Sequence, residues 1–258
     1  MKTISQHITE RLQLNRDRVR KHNYEYFPET KEELRKIIDE KLANHIDKKE
    51  VLNLNMIDTS QITDMEALFY DRFDNFKNVF KIDISDWNVS HVTTMKHMFY
   101  RCKTFRSIGD VSQWDVSNVT NMSGMFSQCV NLKSVDISTW NTKSLKTCSS
   151  MFFACRSIVD TGNLNSWNIS QVINLSNMFD GCKKLKNIGD ISLWDVSNVT
   201  DITCMFLYCE NLTSIGDIDK WGQKLPEKIH KMNAFYKSQL SASWYDINRN
   251  IGGNPWGP

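Results

Sequence analysis

The sequence has little glycine and proline, little net charge and no long apolar run. Ten glycines and four prolines among 258 residues are about half of average usage, which excludes collagen-like and linker-rich proteins. Thirty-two basic against 30 acidic residues leave a formal charge of +2, so no nucleic-acid or membrane affinity is expected from a concentrated basic field. No stretch of about 18 apolar residues occurs, so no transmembrane helix is expected either.

Motifs for metal binding, catalysis and export are missing as well. The seven cysteines include no C-x-x-C pair, and there is no H-E-x-x-H motif and no glycine-rich phosphate loop. We therefore expect no metal site, no cofactor and no enzymatic activity. No apolar stretch of signal-peptide length opens the chain, so it is expected to be made and folded in the cytoplasm.

An internal repeat of 26 or 27 residues dominates the sequence. Tryptophans recur with spacings of 27, 26, 27, 27 and 27, at Trp87, Trp114, Trp140, Trp167, Trp194 and Trp221. Cysteines preceded by a Met-Phe pair follow in step, at Cys102, Cys129, Cys155, Cys182 and Cys209. Repeats of this length are typical of solenoids, in which each unit buries its apolar side against its neighbours.

Each unit contains two apolar periods. From Val119 to Leu132 the apolar residues recur in steps of 3, 3, 1, 3 and 3, which predicts one face of a helix capped by Ser117. The stretch from Leu132 to Ile137 predicts a short strand with an apolar inner face. We therefore predict an α/β fold, a leucine-rich-repeat-like solenoid with parallel short strands and helical segments. A parallel β-helix is the alternative, which the six-position helical face disfavours.

Two segments, WDVSNVTNMSGMFSQCVNLKSVDIS and WDVSNVTDITCMFLYCENLTSIGDI, resemble the BspA-type leucine-rich-repeat surface proteins. Such proteins occur in gut and oral bacteria, mycoplasmas, some protozoa and phages of gut bacteria. The resemblance covers residues 55–221 and implies a solenoid that binds host matrix proteins, other cells or partner proteins, without enzyme activity. Exported members carry a signal peptide or an anchor, and neither is visible here. The stretch YFPETKEELRKIIDEKL also resembles leaders of members from gut bacteria and their phages.

The ends of a solenoid need caps, because its last units would otherwise expose apolar edges. Residues 1–50 are predicted to form an N-terminal helical cap, in which Thr30 and Glu33 make a capping box. Residues 51–221 form the repeat solenoid of about six units, and residues 222–240 form a C-terminal capping helix.

The remaining residues, 241–258, are predicted to form an irregular tail. They contain Trp244 and Trp256 and show no period. The tail is either a disordered end or an extended arm that docks on a neighbour, since exposed tryptophans are costly without a partner.

The recurring residues suggest core packing more than chemistry. The cysteines are interpreted as small buried core residues and the tryptophans as buried corner residues, with an exposed ligand ladder as the alternative for the tryptophans. Short polar residues follow each tryptophan and are expected to bond the turn backbone: Asn88, Asp115, Asn141, Asn168 and Asp195.

An acidic column is the candidate binding site. Its members occupy equivalent strand positions: Asp83, Asp110, Asp136, Asp190 and Asp217, with Asn163 in the fourth unit. Basic residues lie nearby in sequence: Arg106, Lys133 and Lys186. If the carboxylates point outward, they line one face about 4.8 Å apart and require cations, basic neighbours or a basic partner. The alternatives are that they bond turn backbone or bind Ca²⁺.

The combined pattern predicts a non-enzymatic protein-binding module that uses its concave strand face or its tail. Two settings compete, a virion or assembly component of a gut-bacterial phage and a bacterial cell-surface adhesin. A glycan hydrolase is disfavoured, because it needs paired carboxylates flanking a cleft. The repeat zone carries a net charge of −3 between flanks of +2 and +3, which favours self-association into a homo-oligomer or larger assembly.

Overall fold

The computed structural model of the protein describes residues 23–45, 50–70 and 80–240. The predicted tail, with Trp244 and Trp256, lies outside the described residues, as does the first part of the predicted N-terminal cap. Regular elements in these ranges are helix α1 (Lys31–Asn44), strands β1 (Leu52–Asn53) and β2 (Ile82–Asp83), and the 3₁₀ segments Leu164–Ser166 and Ile218–Gln223. No helix among the described residues is both long and apolar enough to cross a membrane.

Parallel β-bridges join consecutive repeats in two ladders. In the first ladder β1 pairs with β2, and Lys81–Ser107 and Ser134–Asp160–Asn187 continue it. The second ladder precedes each Met-Phe segment and runs through Asp64, Thr94, Asn121, Thr147, Asn174, Asp201 and His230. Parallel segments lie about 4.8 Å apart, so each repeat forms one rung of a stack. That this stack is of the leucine-rich-repeat class stays a prediction.

The helix predicted within each repeat is wrong, because residues 119–132 form consecutive turns. Two kinds of backbone bond alternate along them. The Met125 N–H donates to the Met122 carbonyl (3.2 Å), three residues back, whereas the Phe126 N–H donates to the Met151 carbonyl of the next rung (2.8 Å). The helix-like apolar spacing therefore arises from successive turns. An α-helix would satisfy these N–H groups within the segment, but here every second one requires the neighbouring rung.

Left-handed backbone at two positions in each rung also excludes a helix. The pairs have φ between +55° and +75°: His97 and Arg101, Gly124 and Gln128, Ser150 and Ala154, Asn177 and Gly181, Cys204 and Tyr208, Asn233 and Lys237. Only glycine adopts this region readily, and other residues lose roughly 1 kcal/mol each. Ten of these 12 positions are not glycine, so the bonds and packing between rungs must offset the strain.

The core consists of columns in which each aromatic side chain lies on its equivalent in the next rung. Six phenylalanine pairs from Phe69 to Phe235 stack with ring centroids 5.0–5.7 Å apart. Indole rings from Trp114 to Trp221 stack at 6.1–6.5 Å. Each of the six Nε1–H groups donates to a carbonyl of the preceding rung. All six side chains are at most 4% exposed, which confirms the predicted buried corner and excludes an exposed ligand ladder.

The cysteine column is packed in the core, as predicted. All five members are buried, and each Sγ–H donates to a phenylalanine carbonyl of the preceding rung, as Cys129 does to Phe99 (3.1 Å). All seven cysteines of the chain fall within the described residues, and all seven are free thiols. Burial raises the pKa of the Cys155 thiol to about 12, so it stays neutral at physiological pH.

Helix α1 packs on the N-terminal end of the stack. The predicted capping bond is present, because the Glu33 N–H donates to the Thr30 hydroxyl (3.2 Å). Arg35 Nη2 donates to the Ala67 carbonyl (2.9 Å) and so ties the helix to the first rung. The helix buries Leu34, Ile38 and Leu42.

The C-terminal capping helix predicted for residues 222–240 is wrong for the same reason as the repeat helices. The described backbone there is a 3₁₀ segment followed by turns. His230 continues the bridge ladder, and the Phe235 ring stacks on Phe206 at 5.7 Å. Met232 is 65% exposed. The apolar residues of this segment therefore form one more turn-built rung.

The substitution Trp140→Phe tests the tryptophan column. It removes the N–H that bonds the Val111 carbonyl (2.9 Å) and opens a cavity at a side chain 1% exposed. We expect the free energy of unfolding, measured by chemical denaturation, to fall by about 2–4 kcal/mol. Leu193→Ala is the control, because Leu193 is 74% exposed and its loss should stay within about 0.5 kcal/mol. Equal effects of the two substitutions would contradict the packing described here.

Candidate protein-binding face

The acidic column lies along the first bridge ladder, on a surface that we call the strand face. It comprises one segment from each unit: 80–83, 106–110, 133–136, 159–163, 186–190 and 213–217. Each segment has one buried residue with exposed or half-buried residues on both sides of it, so the face is a thin polar layer directly over the core.

Side-chain bonds to the turn backbone hold the acidic column in place. Oδ1 of each residue accepts the N–H two residues later, as Asp136 does from Ser138 (3.0 Å). The same bond is made by Asp83, Asp110, Asn163 and Asp190. Asp217 forms no side-chain cap bond. The interpretation that these carboxylates bond turn backbone is therefore correct for the first five units.

This turn bond does not bury the carboxylates. Asp110, Asp136, Asp190 and Asp217 are exposed, and Asp83 is half-buried. Because the turn takes only Oδ1, Oδ2 stays outside the turn bond. The column is thus both a structural ladder and a row of accessible charges.

Glycines in the following rung fix where the acidic side chains lie. Gly109 has φ +88°, and a Cβ there would come 2.5 Å from Asp83 Oδ1. Gly216 has φ +85°, and a Cβ there would overlap Asp190 Oδ1. Glycine is required at these positions both for the left-handed backbone and for the close approach of the carboxylate.

The basic residues form a second column beside the acidic one. Arg106, Lys133 and Lys186 are exposed, and Val159 takes the equivalent place in the fourth unit. The Val159 N–H donates to the Lys133 carbonyl (2.8 Å), and the Lys186 N–H donates to the Val159 carbonyl (3.1 Å), so these residues lie in successive rungs. The Arg106 guanidinium lies 4.9 Å from the centre of the Phe80 ring.

The strand face therefore carries accessible charges of both signs. In the part of the chain that the structure describes, the three basic residues and the acidic ones from Asp83 to Asp190 form no ion pairs. Asp217, at the end of the column, pairs with Lys220 (3.6 Å). Bonding to the backbone N–H of Ser112 lowers the pKa of Asp110, which keeps that carboxyl ionised at neutral pH.

Two further columns of side-chain turns shape the other corners of each rung. The predicted one follows the tryptophans and is confirmed, as in the bond from the Ser117 N–H to Asp115 Oδ1 (3.0 Å). Sequence reasoning missed the other one, which consists of Asp64, Asn121, Asn174 and Asp201. Its signal was available, because most of these residues precede a serine or threonine by two positions, as Asn121 precedes Ser123.

No group of three or more His, Cys, Asp and Glu side chains in the described ranges is placed to hold a metal ion. The aspartates that recur are used by turns, and the cysteines that recur are buried thiols. What these residues offer chemically is recognition by exposed side chains.

One carboxyl outside the strand face was not marked by any sequence pattern. Asp180 is half-buried, and burial raises its pKa to about 6. It occupies the position after the core phenylalanine, where other rungs have Tyr100 or Phe153. Its charge contributes to raising the pKa of the Cys204 thiol, after burial. A single acid in a mostly aromatic column was the signal that could have revealed it.

Stacked turn-built rungs with an exposed double column of charges define a repeat protein. The family to which it belongs follows from comparison. The chain matches the family described as "Mycoplasma protein of unknown function, DUF285" over residues 40–160, 71–186 and 157–248, and it belongs to that family. No curated protein and no solved structure matches it. Membership supports a repeat-containing surface or structural protein.

A pair of substitutions at Asp136 separates its turn bond from its charge. Asp136→Ala removes the acceptor of the Ser138 N–H, and we expect the free energy of unfolding to fall by about 1 kcal/mol. Asp136→Asn keeps an acceptor, as Asn163 does for Asn165 (2.9 Å), and should change stability by less than about 0.5 kcal/mol. Denaturant titration of both variants is the measurement. Equal losses would show that the turn bond contributes nothing.

Asp180 should make stability depend on pH. Its folded pKa of about 6 lies above the ordinary value of 3.8, so the native state binds more protons between these values. The contribution of Asp180 to stability therefore falls as pH rises from about 4 to about 6 and is constant above. Asp180→Asn should remove this dependence and stabilise the protein by about 1 kcal/mol at neutral pH, after allowance for solvent screening. Thermal unfolding against pH, with Asp136→Asn as control, measures it. A gain that is equal at pH 4 and pH 7 would contradict the assignment.

Proposed function

We propose that this protein is a non-enzymatic binding solenoid that holds a protein partner on its strand face. The observation that carries the proposal is the pair of exposed charge columns, basic at Arg106, Lys133 and Lys186 and acidic beside them, which form no ion pairs among the described residues. Charges at fixed spacing on a rigid ladder favour a specific partner, because electrostatic complementarity determines register and excludes wrong partners.

The mixture of signs favours protein over other partners. Nucleic acid binding requires a basic stripe that neutralises phosphates, and here an acidic column lies beside each basic residue. Surface-bound membrane proteins present a broad apolar face, whereas the exposed large apolar side chains here are scattered: Val51, Tyr70, Val159, Ile173, Leu193, Met232 and Tyr236. We therefore propose neither nucleic acid nor membrane as the ligand.

For the biological setting we favour a virion or assembly component of a gut-bacterial phage. The seven free thiols, six of them buried, suit a protein made and assembled in a reducing cytoplasm. The stretch that resembles leaders of phage and gut-bacterial members, residues 26–42, contains most of the capping helix, Lys31–Asn44. The alternative is a bacterial cell-surface adhesin of the BspA type, which the repeat segments themselves resemble. In either setting, Trp244 and Trp256 are candidates for a docking arm.

The place where the protein is found, in phage particles or on the cell surface, distinguishes the two biological settings. Particles are purified by density gradient from a culture of the phage or cell that encodes the chain, and the protein is quantified by mass spectrometry. Constant stoichiometry with the capsid is the expected result. Recovery only from the outer surface of uninfected cells, where added protease removes it, would overturn the virion assignment.

Charge reversal tests the strand face within the same preparation. Lys133→Glu combined with Lys186→Glu should abolish incorporation into particles, because both lysines are exposed and the substitutions place acid beside acid. Lys143→Glu combined with Lys146→Glu is the matched control, with equal charge change at exposed positions outside the face. Deletion of residues 241–258 tests the tail separately. Normal incorporation of the first variant would exclude the strand face as the binding surface.

A further inference from the structure

The two charge columns match each other from the second unit to the fifth. In the second, third and fifth units a basic and an acidic residue occur together: Arg106 with Asp110, Lys133 with Asp136, and Lys186 with Asp190. In the fourth unit both positions are uncharged, with Val159 in the basic column and Asn163 in the acidic one. In these four units the two positions are therefore either both charged or both uncharged.

The two remaining acidic residues, in the first and sixth units, have no basic residue at the equivalent position of their own unit. Their environments also differ from those of the three acidic residues that have one. The equivalent basic positions hold Phe80 in the first unit and Thr213 in the sixth. Asp217 in the sixth unit pairs with Lys220 (3.6 Å), and Asp83 in the first is half-buried. Within the acidic column, the exposed acids without an ion pair are therefore those that have a basic neighbour in the same unit.

This arrangement is complementary to itself. If two strand faces meet across a two-fold axis parallel to the stack, equal units lie opposite each other and the columns exchange sides. Each basic residue then faces the acidic residue of the same unit in the other copy, and Val159 faces Asn163. If the axis runs across the stack instead, basic residues face basic ones.

We propose that the partner held on the strand face is a second copy of this chain, docked face to face with the two stacks parallel. The proposal rests on the proposed function of the strand face as a protein-binding surface. The fourth unit favours a second copy over a different protein. In a symmetric pair a neutral residue on one column must face a neutral residue on the other, whereas a different partner imposes no such match. Val159, 36% exposed between two lysines, then lies away from water.

Sedimentation of the purified full chain tests self-association without any other partner. We expect dimers at low ionic strength that weaken as salt is added. Lys133→Glu combined with Lys186→Glu should raise the dimer dissociation constant by roughly tenfold or more, since each substitution acts twice in a symmetric pair. Lys143→Glu with Lys146→Glu should leave it unchanged. Equal melting temperatures of the three proteins exclude misfolding as the cause.

Cross-linking identifies the faces and their direction. Equal amounts of ordinary and ¹⁵N-labelled chain are mixed and treated with a carbodiimide, which joins lysine amines to carboxylates in contact. Mixed-isotope products joining Lys133 to Asp136 and Lys186 to Asp190 are expected. Products joining Lys133 to Asp190 would overturn the parallel arrangement.

A monomer at every salt and protein concentration would overturn self-pairing altogether. If such a monomer still lost incorporation into particles through the two strand-face lysine substitutions, the binding face would stand and its partner would be a different protein. If incorporation were also unaffected, both proposals would fail.

Discussion

Backbone bonding between rungs is the constraint on which the rest of the structure depends. In the segment from Met122 to Gln128, alternate N–H groups donate to the following rung. The others bond within their own rung, to the Asn121 side chain or to the carbonyl three residues back. A buried N–H without an acceptor costs free energy comparable to a lost hydrogen bond. One rung alone can therefore satisfy only part of its own backbone, and the stack is the smallest structure in which these turns are stable.

Stacking also places each side chain against the equivalent residue of the next rung. The consequences of this differ between the core and the surface. In the interior, identical aromatic rings and thiols pack well, and indole and thiol donors find carbonyls at a constant offset. On the surface, the same translation puts carboxylate above carboxylate at about 4.8 Å. Repulsion within the acidic column is opposed by the basic column beside it and by the turn bonds that favour the ionised form of residues such as Asp110.

Sequence reasoning recovered what depends on periodicity and failed where the backbone conformation is unusual. The repeat register, the buried tryptophan and cysteine columns and the capping bond of Thr30 follow from spacing and residue type. The repeat helices were wrong because Met122, Met125, Phe126 and Cys129 have helical spacing, while the left-handed residues between them are mostly not glycine. Residues such as Gln128 and Ala154 adopt φ near +60° only because neighbouring rungs hold them there. That cause is non-local, so local propensity cannot show it. On the strand face, the repeat spacing located the acidic column. It did not show whether the carboxylates bond turn backbone or face solvent, and the structure shows that they do both.

A surface that repeats once per rung also limits what can bind along its length. An α-helix lying along the stack presents side chains on one face about every 5.4 Å, one per turn, whereas the rungs are about 4.8 Å apart. Over four intervals the side chains of the helix therefore move out of register with the rungs by about 2.4 Å. An extended strand presents one side about every 6.6 Å and loses register sooner. Another stack of the same rise keeps register over any number of rungs. The charge columns from Arg106 to Asp190 span four units, and in one of them, the fourth, both column positions are uncharged, a pattern that only a partner of equal period can match at every unit.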